Sequence, residues 1–148
     1  MLKFASQNLY KSLQTILQMT IEDRIKQAET RQCKIVFPGS ENEHGTLFGG
    51  TALQWMDEVA YITALRFTRV QVVTILVENV RFLLPMKSGS IIEIVGKVVR
   101  HSLLKVEVQI EIFTESMFGF GQQKAIEASF VFASIDGNHK PQRMDFTN

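Results

Sequence analysis

The chain of 148 residues has very little cysteine: Cys33 stands alone. One cysteine cannot form an internal disulfide and does not make a metal-binding cluster, which excludes a disulfide scaffold and a cysteine-based metal site. A lone thiol fits a reducing compartment, and we expect a cytoplasmic protein. Because Cys33 falls in a predicted strand, we expect a packed thiol rather than a nucleophile.

The sequence also lacks an excess of either charge, a long apolar run and a Pro/Gly-rich linker. The net charge is +1 with acids and bases interspersed, so no broad basic surface is present for nucleic acid. No apolar run approaches the roughly 20 residues of a spanning helix, and we expect no membrane partner. With 45% apolar and 21% charged residues, the composition predicts one globular domain of ordinary size.

The first thirty residues differ from the rest. Apolar side chains from Leu9 to Ala28 recur at helical spacing and form one stripe, which predicts a helical extension over residues 1–30. Thr20 and Asp23 have the spacing of a capping box, so the extension is one helix or two. We interpret it as a packing arm that lies over the body or over a neighbouring subunit. A transit peptide is the alternative.

The remaining residues, 31–148, form the second predicted unit. We predict a strand over Gln32–Phe37, a long helix over Gly50–Phe67, and four strands over residues 71–84, 91–100, 105–113 and 124–135. The apolar residues of the helix occupy most of its circumference, which predicts burial all round. Strict alternation in the strand that begins at Lys105 predicts a sheet with one buried face. The fold class is therefore α+β, with one antiparallel sheet wrapped around a central helix.

Two glycines, Gly49 and Gly50, stand where a polar loop becomes the long helix. Without side chains, they allow a ligand to approach backbone N–H groups at the positive end of the helix dipole. Such a site suits the oxyanion that develops on a thioester carbonyl. A tight turn that packs the loop against the helix is the structural alternative.

An acidic residue, Asp57, lies two turns into this otherwise apolar helix, on the same face as Gly50. An unpaired buried carboxylate costs several kcal/mol, so an aspartate there is either hydrogen-bonded or kept for chemistry. Glu58 is rotated from it by about 100° and is expected to reach solvent or a salt bridge.

Together these residues resemble a known family. The pattern Asn42-x-x-Gly45-x-x-Phe48-Gly49-Gly50, followed by Trp55-Met56-Asp57-Glu58, is similar to the motif of the hotdog-fold acyl-CoA hydrolases, and the likeness extends over about residues 31–141. The resemblance implies a hotdog fold and hydrolysis of acyl-CoA to free CoA and a carboxylic acid. It also implies that no metal or organic cofactor is used, and that the chains form homodimers assembled into hexamers.

The resemblance further implies roles for individual residues. Asp57 would act as general base or as nucleophile, and Asn42 would orient water or substrate, the two coming from different protomers. Backbone N–H groups near Gly49 and Gly50 would polarise the carbonyl. The positions expected to contact CoA are Arg81, His101 and Ser102, although His101-Ser102-Leu103 departs from the small residues usual in that turn. Thr74 is a further expected substrate contact. The residues expected to line an acyl channel are Phe48, Leu53 and Tyr61.

Two other functions fit the same fold. One is a non-catalytic module that binds acyl-CoA. The other is dehydration of a hydroxyacyl thioester, which requires a histidine and an acid facing one another. The central helix contains no histidine, which disfavours dehydration.

Overall fold

The computed structural model describes residues 1–146, so the last two residues of the predicted 31–148 unit lie outside it. In the described part, three helices and five strands follow one another. They are α1 (Leu2–Leu17), α2 (Ile21–Ala28), β1 (Thr30–Ile35), α3 (Gly49–Thr68), β2 (Val72–Phe82), β3 (Ile91–His101), β4 (Lys105–Glu115) and β5 (Gln123–Ser134). Each predicted strand and the long helix are present, with ends that differ by one or two residues.

The strands form one antiparallel sheet in the order β1-β3-β4-β5-β2, and α3 lies across one face of it. The inward side chains of β4 are fully buried, as the alternation predicted: Val106, Val108, Ile110 and Ile112. Residues between them point outward and stay partly exposed. The predicted fold, a sheet wrapped around a central helix, is confirmed.

A glycine in β3 lets α3 lie close to the sheet. A Cβ atom on Gly96 would stand 2.4 Å from Oγ1 of Thr63 and 3.2 Å from Cγ1 of Val59, both on α3. The first distance is shorter than any real Cβ contact, so side chains of the helix lie directly against the strand backbone at Gly96. This contact fixes the height of the helix above the sheet.

The N-terminal extension consists of two helices. Thr20 caps α2, and its hydroxyl and the Asp23 carboxylate form the reciprocal bonds of the predicted capping box. α2 packs against α3 and β3, and the guanidinium of Arg24 donates to the carbonyl of Phe67 at 2.8 Å. By contrast, α1 has no buried residue and packs against none of the other elements in residues 1–146. Within the chain, α2 is therefore the part of the extension that packs on the body.

Two predictions about burial are wrong for the single chain. The helix α3 is not buried all round, because the sheet covers only one of its sides and Asp57, Glu58 and Tyr61 remain exposed on the other. Cys33 is also exposed, because β1 is an edge strand and its odd-numbered side chains point away from the helix. The apolar composition of the helix predicts that its surface is covered, but it does not tell whether the covering residues belong to the same chain.

The edge strand β2 is the least protected element of the sheet. Within residues 1–146 it pairs only with β5, and every residue from Val73 to Phe82 except Val80 is exposed. Several of these are apolar: Val73, Ile75, Leu76 and Val77. A long, apolar, unpaired edge is a template for pairing with another strand. Among the described residues, no helix is long and apolar enough to cross a membrane.

Candidate active site

The loop before α3 is organised by Asn42. Its Oδ1 atom accepts hydrogen bonds from the N–H of His44 at 3.0 Å and from the N–H and hydroxyl of Thr46, each at 3.2 Å. This is the local bonding by which asparagine shapes turns. Because Oδ1 is the engaged atom, the Nδ2 amide group is the end of the side chain that can donate to a ligand. Asn42 is therefore held in one orientation before any ligand binds.

The start of α3 is open. Its N-cap residue, Phe48, makes no side-chain cap, and the first N–H groups of a helix have no partner within it. A Cβ on Gly50 would meet nothing within 4 Å, and one on Gly49 would meet the Phe82 ring at an ordinary 3.5 Å. Neither glycine has a positive φ. Neither crowding nor backbone conformation therefore requires glycine here, which favours ligand access over the tight-turn alternative.

A cavity of about 300 Å³ lies beside this helix start. Asn42 and Gly49 both line it, so the structure brings these two predicted residues together. The other lining residues are mostly apolar: Thr46, Leu47, Ala52, Phe82, Leu83, Leu84, Pro85, Met86 and Ile126. Asp57 does not line this cavity.

Asp57 is held instead by β2. The Thr74 hydroxyl donates to Oδ1 of Asp57 at 3.2 Å. The sequence indicated Thr74 as a substrate contact but gave no local sign of this bond, because the two residues are far apart in the chain. Glu58 is exposed, as predicted, and accepts a hydrogen bond from Gln54 at 3.2 Å.

Arg81, near the end of β2, forms an ion pair with Glu127 at 2.9 Å while most of its side chain stays exposed. Glu127 also contacts Lys124 at 3.2 Å. An anionic ligand that binds Arg81 would thus have to displace the Glu127 carboxylate, which would still be paired with Lys124.

His101 and Ser102 lie at the other end of α3, about 27 Å along the helix axis from Gly49. The His101 ring packs against Phe67 with centroids 5.4 Å apart, and the Ser102 hydroxyl accepts from the N–H of Lys105 at 3.1 Å. The two residues border a cavity of about 250 Å³ that Arg100 and Lys105 also line. Sequence reasoning missed both cations, although they flank the predicted turn. Within one chain this cavity is separate from the helix start.

Comparison with known proteins identifies the family. The model of the thioesterase superfamily matches residues 44–117. Acyl-CoA thioester hydrolase YciA of Salmonella typhimurium is 29% identical over 127 residues, which is 84% of this chain and 96% of that protein. The solved acyl-CoA hydrolase of Staphylococcus aureus, in complex with butyryl-CoA and CoA, has a TM-score of 0.77 and 32% sequence identity to this chain. The match covers 81% of this chain and 73% of the hydrolase chain. The chain belongs to the thioesterase superfamily.

Two further findings bear on the site. An apo acyl-CoA thioesterase described as hexameric has a TM-score of 0.78 at 26% identity, covering 81% of this chain and 77% of its own. The Staphylococcus aureus enzyme has also been solved with one aspartate, one threonine or one asparagine replaced by alanine. The family match includes Gly49, Gly50 and Asp57 but begins after Asn42 and after the helical extension.

Proposed function

We propose that the protein hydrolyses acyl-CoA thioesters, with Asp57 as general base or nucleophile and Asn42 orienting the water or the substrate. One observation carries this proposal. The chain holds two complementary half-sites, Asn42 with the open helix start on one side and Asp57 with Thr74 on the other, and the unpaired strand β2 connects them.

The replaced residues of the Staphylococcus aureus hydrolase support the choice of residues. In that chain the aspartate follows the asparagine by fifteen positions, and the threonine follows the aspartate by seventeen. Asn42, Asp57 and Thr74 have the same residue types at the same two spacings. The hydrogen bond from Thr74 makes it a positioning residue for the carboxylate, and we propose this role in addition to substrate contact.

Distances along the elements support a site shared between two protomers. Asp57 lies eight residues into α3, about 12 Å from the helix start along the axis. A base and an oxyanion site must both reach one carbonyl within hydrogen-bond distance, so the Asp57 of a chain is too far from its own Gly49. An isolated chain therefore has both halves of the chemistry but not one complete site.

Pairing of two β2 strands would complete the site. Thr74 and Phe82 are about 27 Å apart along the strand, and Phe82 touches the helix start at Gly49. An antiparallel pairing centred near Glu78 sets the Thr74 of one protomer opposite the Phe82 of its partner. The carboxylate of one chain then faces the glycines of the other. We propose such a homodimer, and a hexamer built from it by analogy with the hexameric relative.

The reaction requires few groups. As general base, the Asp57 carboxylate takes a proton from water, the hydroxide adds to the thioester carbon, and the negative oxygen is stabilised by N–H groups at Gly49 and Gly50. The C–S bond then breaks, and CoA leaves as a thiol after receiving the proton from Asp57. As nucleophile, the same carboxylate adds to the thioester carbon and the C–S bond breaks, so that CoA leaves as a thiolate and takes a proton from water. Water then hydrolyses the mixed anhydride, which releases the carboxylic acid and regenerates the Asp57 carboxylate. General-base and oxyanion contributions are each about 10² to 10⁴-fold, and neither route requires a cofactor.

The remaining contacts are assigned by position. We propose that Gly49, Gly50 and Thr74 lie at the thioester. Arg81, His101 and Ser102 are proposed for the CoA moiety. Lys105 and Arg100 lie beside the last two, and Arg100 is paired there with Glu107 at 3.2 Å. A cytoplasmic location stays a prediction.

The proposal is tested by replacing the carboxylate. Asp57→Asn should lower the release of free thiol from acyl-CoA by at least a hundredfold, because an amide neither accepts the proton nor attacks the carbonyl. Folding and oligomer size should be unchanged. Glu58→Gln, on the next residue, is the matched control and should keep near-normal rates. Equal activity in wild type and Asp57→Asn would overturn the assignment. Binding of acyl-CoA without turnover by the wild type would establish the non-catalytic module instead.

Mixing two inactive variants tests the shared site. Asn42→Ala and Asp57→Asn subunits, exchanged at equal concentration, should recover about a quarter of wild-type activity, since half of the dimers are mixed and each mixed dimer has one intact site. If each chain contained its whole site, mixing would restore nothing.

A further inference from the structure

The cavity beside the helix start divides into a polar end and an apolar remainder. Asn42, Thr46 and the backbone of Gly49 form the polar end. All other lining residues are apolar. A thioester carbonyl with a hydrocarbon tail has the same division, a polar head followed by an apolar chain.

The apolar part has a buried floor and an exposed rim. Leu47, Ala52, Met86 and Ile126 are at most 6% exposed and form the floor. The rim consists of three consecutive side chains, Phe82, Leu83 and Leu84, which are 56%, 41% and 38% exposed. The N–H groups of Leu83 and Leu84 both donate to the carbonyl of Ala125, at 2.8 and 3.1 Å. The rim is therefore a fixed apolar surface attached to the sheet, ready for an apolar ligand.

The volume restricts what fits. At about 300 Å³ the cavity lies at the small end of ligand sites, too small for a whole acyl-CoA. With about 30 Å³ for each water-sized group, it holds roughly ten of them. A larger cavity of about 830 Å³ lies near Gly89, but neither Asn42 nor the helix start lines it.

Resting on the proposed thioester hydrolysis, we infer that the cavity lined by Asn42, Gly49, Ala52 and the rim Phe82–Leu84, hereafter the acyl pocket, holds the fatty acyl chain. It favours medium chains of up to about ten carbons, and Ala52 sets its depth. Ala52 lies one turn after Gly49 on α3, so its methyl group is on the same side of the helix, and it is fully buried in the pocket floor. The channel predicted from Phe48, Leu53 and Tyr61 is a different surface, and none of these residues lines the acyl pocket.

The inference has a quantitative consequence. Each methylene buried in the pocket should raise kcat/KM by up to about fourfold, because that is the equilibrium factor for removing one CH₂ from water. Beyond about ten carbons the chain extends past the rim, gains no further burial, and kcat/KM should level off. A pocket made shallower should level off at a shorter chain.

The test measures free thiol release from saturated acyl-CoAs of two to sixteen carbons with the full-length protein. Ala52→Leu adds three carbon atoms to the floor and should move the point of levelling to chains about three carbons shorter. Leu84→Trp narrows the exposed rim, where folding tolerates a larger side chain, and should lower kcat/KM at least tenfold for chains of eight carbons or more. The loss of kcat/KM in both variants should be smaller for acetyl-CoA than for the long chains, and Ala5→Leu, on exposed α1, should leave the whole profile unchanged.

The outcomes separate this inference from the function on which it rests. If the wild type hydrolyses acyl-CoA but neither Leu84→Trp nor folded Ala52→Leu changes the dependence on chain length, the acyl chain lies elsewhere and the inference is wrong while the hydrolase stands. Equal loss for acetyl and long-chain substrates in Leu84→Trp would also overturn it, since that marks general damage to the site. No thiol release by the wild type at any length would refute the hydrolase itself, and the pocket assignment with it.

Discussion

The close contact between Gly96 and α3 gives a prediction whose size can be worked out. In Gly96→Ala, the new methyl group would lie 2.4 Å from Oγ1 of Thr63, 3.1 Å from Cδ1 of Ile110 and 3.2 Å from Cγ1 of Val59. All three neighbours are buried, so the helix has to rise or a side chain has to leave its rotamer. Overpacking of this kind costs about 1–3 kcal/mol.

A smaller term acts in the opposite direction. Gly96 does not have a positive φ, so alanine adopts its backbone conformation, and the loss of chain entropy in the unfolded state stabilises by about 0.4–1 kcal/mol. We therefore expect a net loss of roughly 1–2 kcal/mol. For a chain of this size, that lowers Tm by about 2–8 °C. Because the helix carries both Gly49 and Asp57, thiol release should fall as well.

A double-mutant cycle identifies the cause. Thr63→Ala removes Oγ1, the closest atom, and loses a hydroxyl that donates to the carbonyl of Val59 at 2.7 Å. Combining it with Gly96→Ala should be less damaging than the sum of the two single changes by at least about 0.5 kcal/mol. Urea unfolding followed by circular dichroism, at one fixed protein concentration, provides the free energies. Equal stability of Gly96→Ala and wild type, or strictly additive effects in the cycle, would refute the reasoning.

The other predictions concern the helix start and the outer face of the sheet. In Gly50→Ala, the new methyl group has free space, so the Tm should be unchanged or slightly higher. Thiol release should nevertheless fall about tenfold, because the methyl group obstructs the approach of a ligand to the N–H groups. Lower stability with full activity would contradict this prediction. A hydrogen bond from Gln122, and next the one from Arg31, lower the pKa of Glu93 below its ordinary 4.5. That stabilisation is present above pH 4.5 and is lost as the pH falls through the lowered pKa of Glu93. Glu93→Gln should therefore be less stable than wild type near pH 7, by at most about 1 kcal/mol because the pair is partly exposed. The difference in stability should vanish in acid. Urea unfolding at pH 7, 5, 4 and 3 measures the difference, and a difference that grows on acidification would show the sign to be wrong.

Local patterns predicted most of the fold. The capping box of Thr20, the period-two alternation after Lys105 and the apolar run after Gly50 each depend on neighbours in the chain, and each element formed where its pattern lies. The exposure of Asp57 and that of Cys33 were mispredicted for different reasons. Cys33 lies on the outward face of the edge strand β1, whereas the reason for Asp57 concerns the cover of the helix. Apolar residues indicate that a surface is covered, but they do not say whether the cover belongs to the same chain or to another.

The candidate site was predicted as residues but not as geometry. The motif brought Asn42 and Gly49 into one hypothesis, and the structure brings them into one cavity. The bond from Thr74 to Asp57 and the rim at Phe82–Leu84 depend on how β2 passes the helix, and no local spacing encodes that. The distance of Asp57 from the start of its own helix is set by the number of helical residues between Gly49 and Asp57.

The bare edge of β2 has a consequence for regulation. If catalysis requires the edges of two subunits to meet, specific activity must depend on the protein concentration and must fall on dilution below the dissociation constant of the dimer. In a cell that makes little of the protein, part of it would then be inactive monomer. A modest increase in synthesis would raise the total activity more than in proportion.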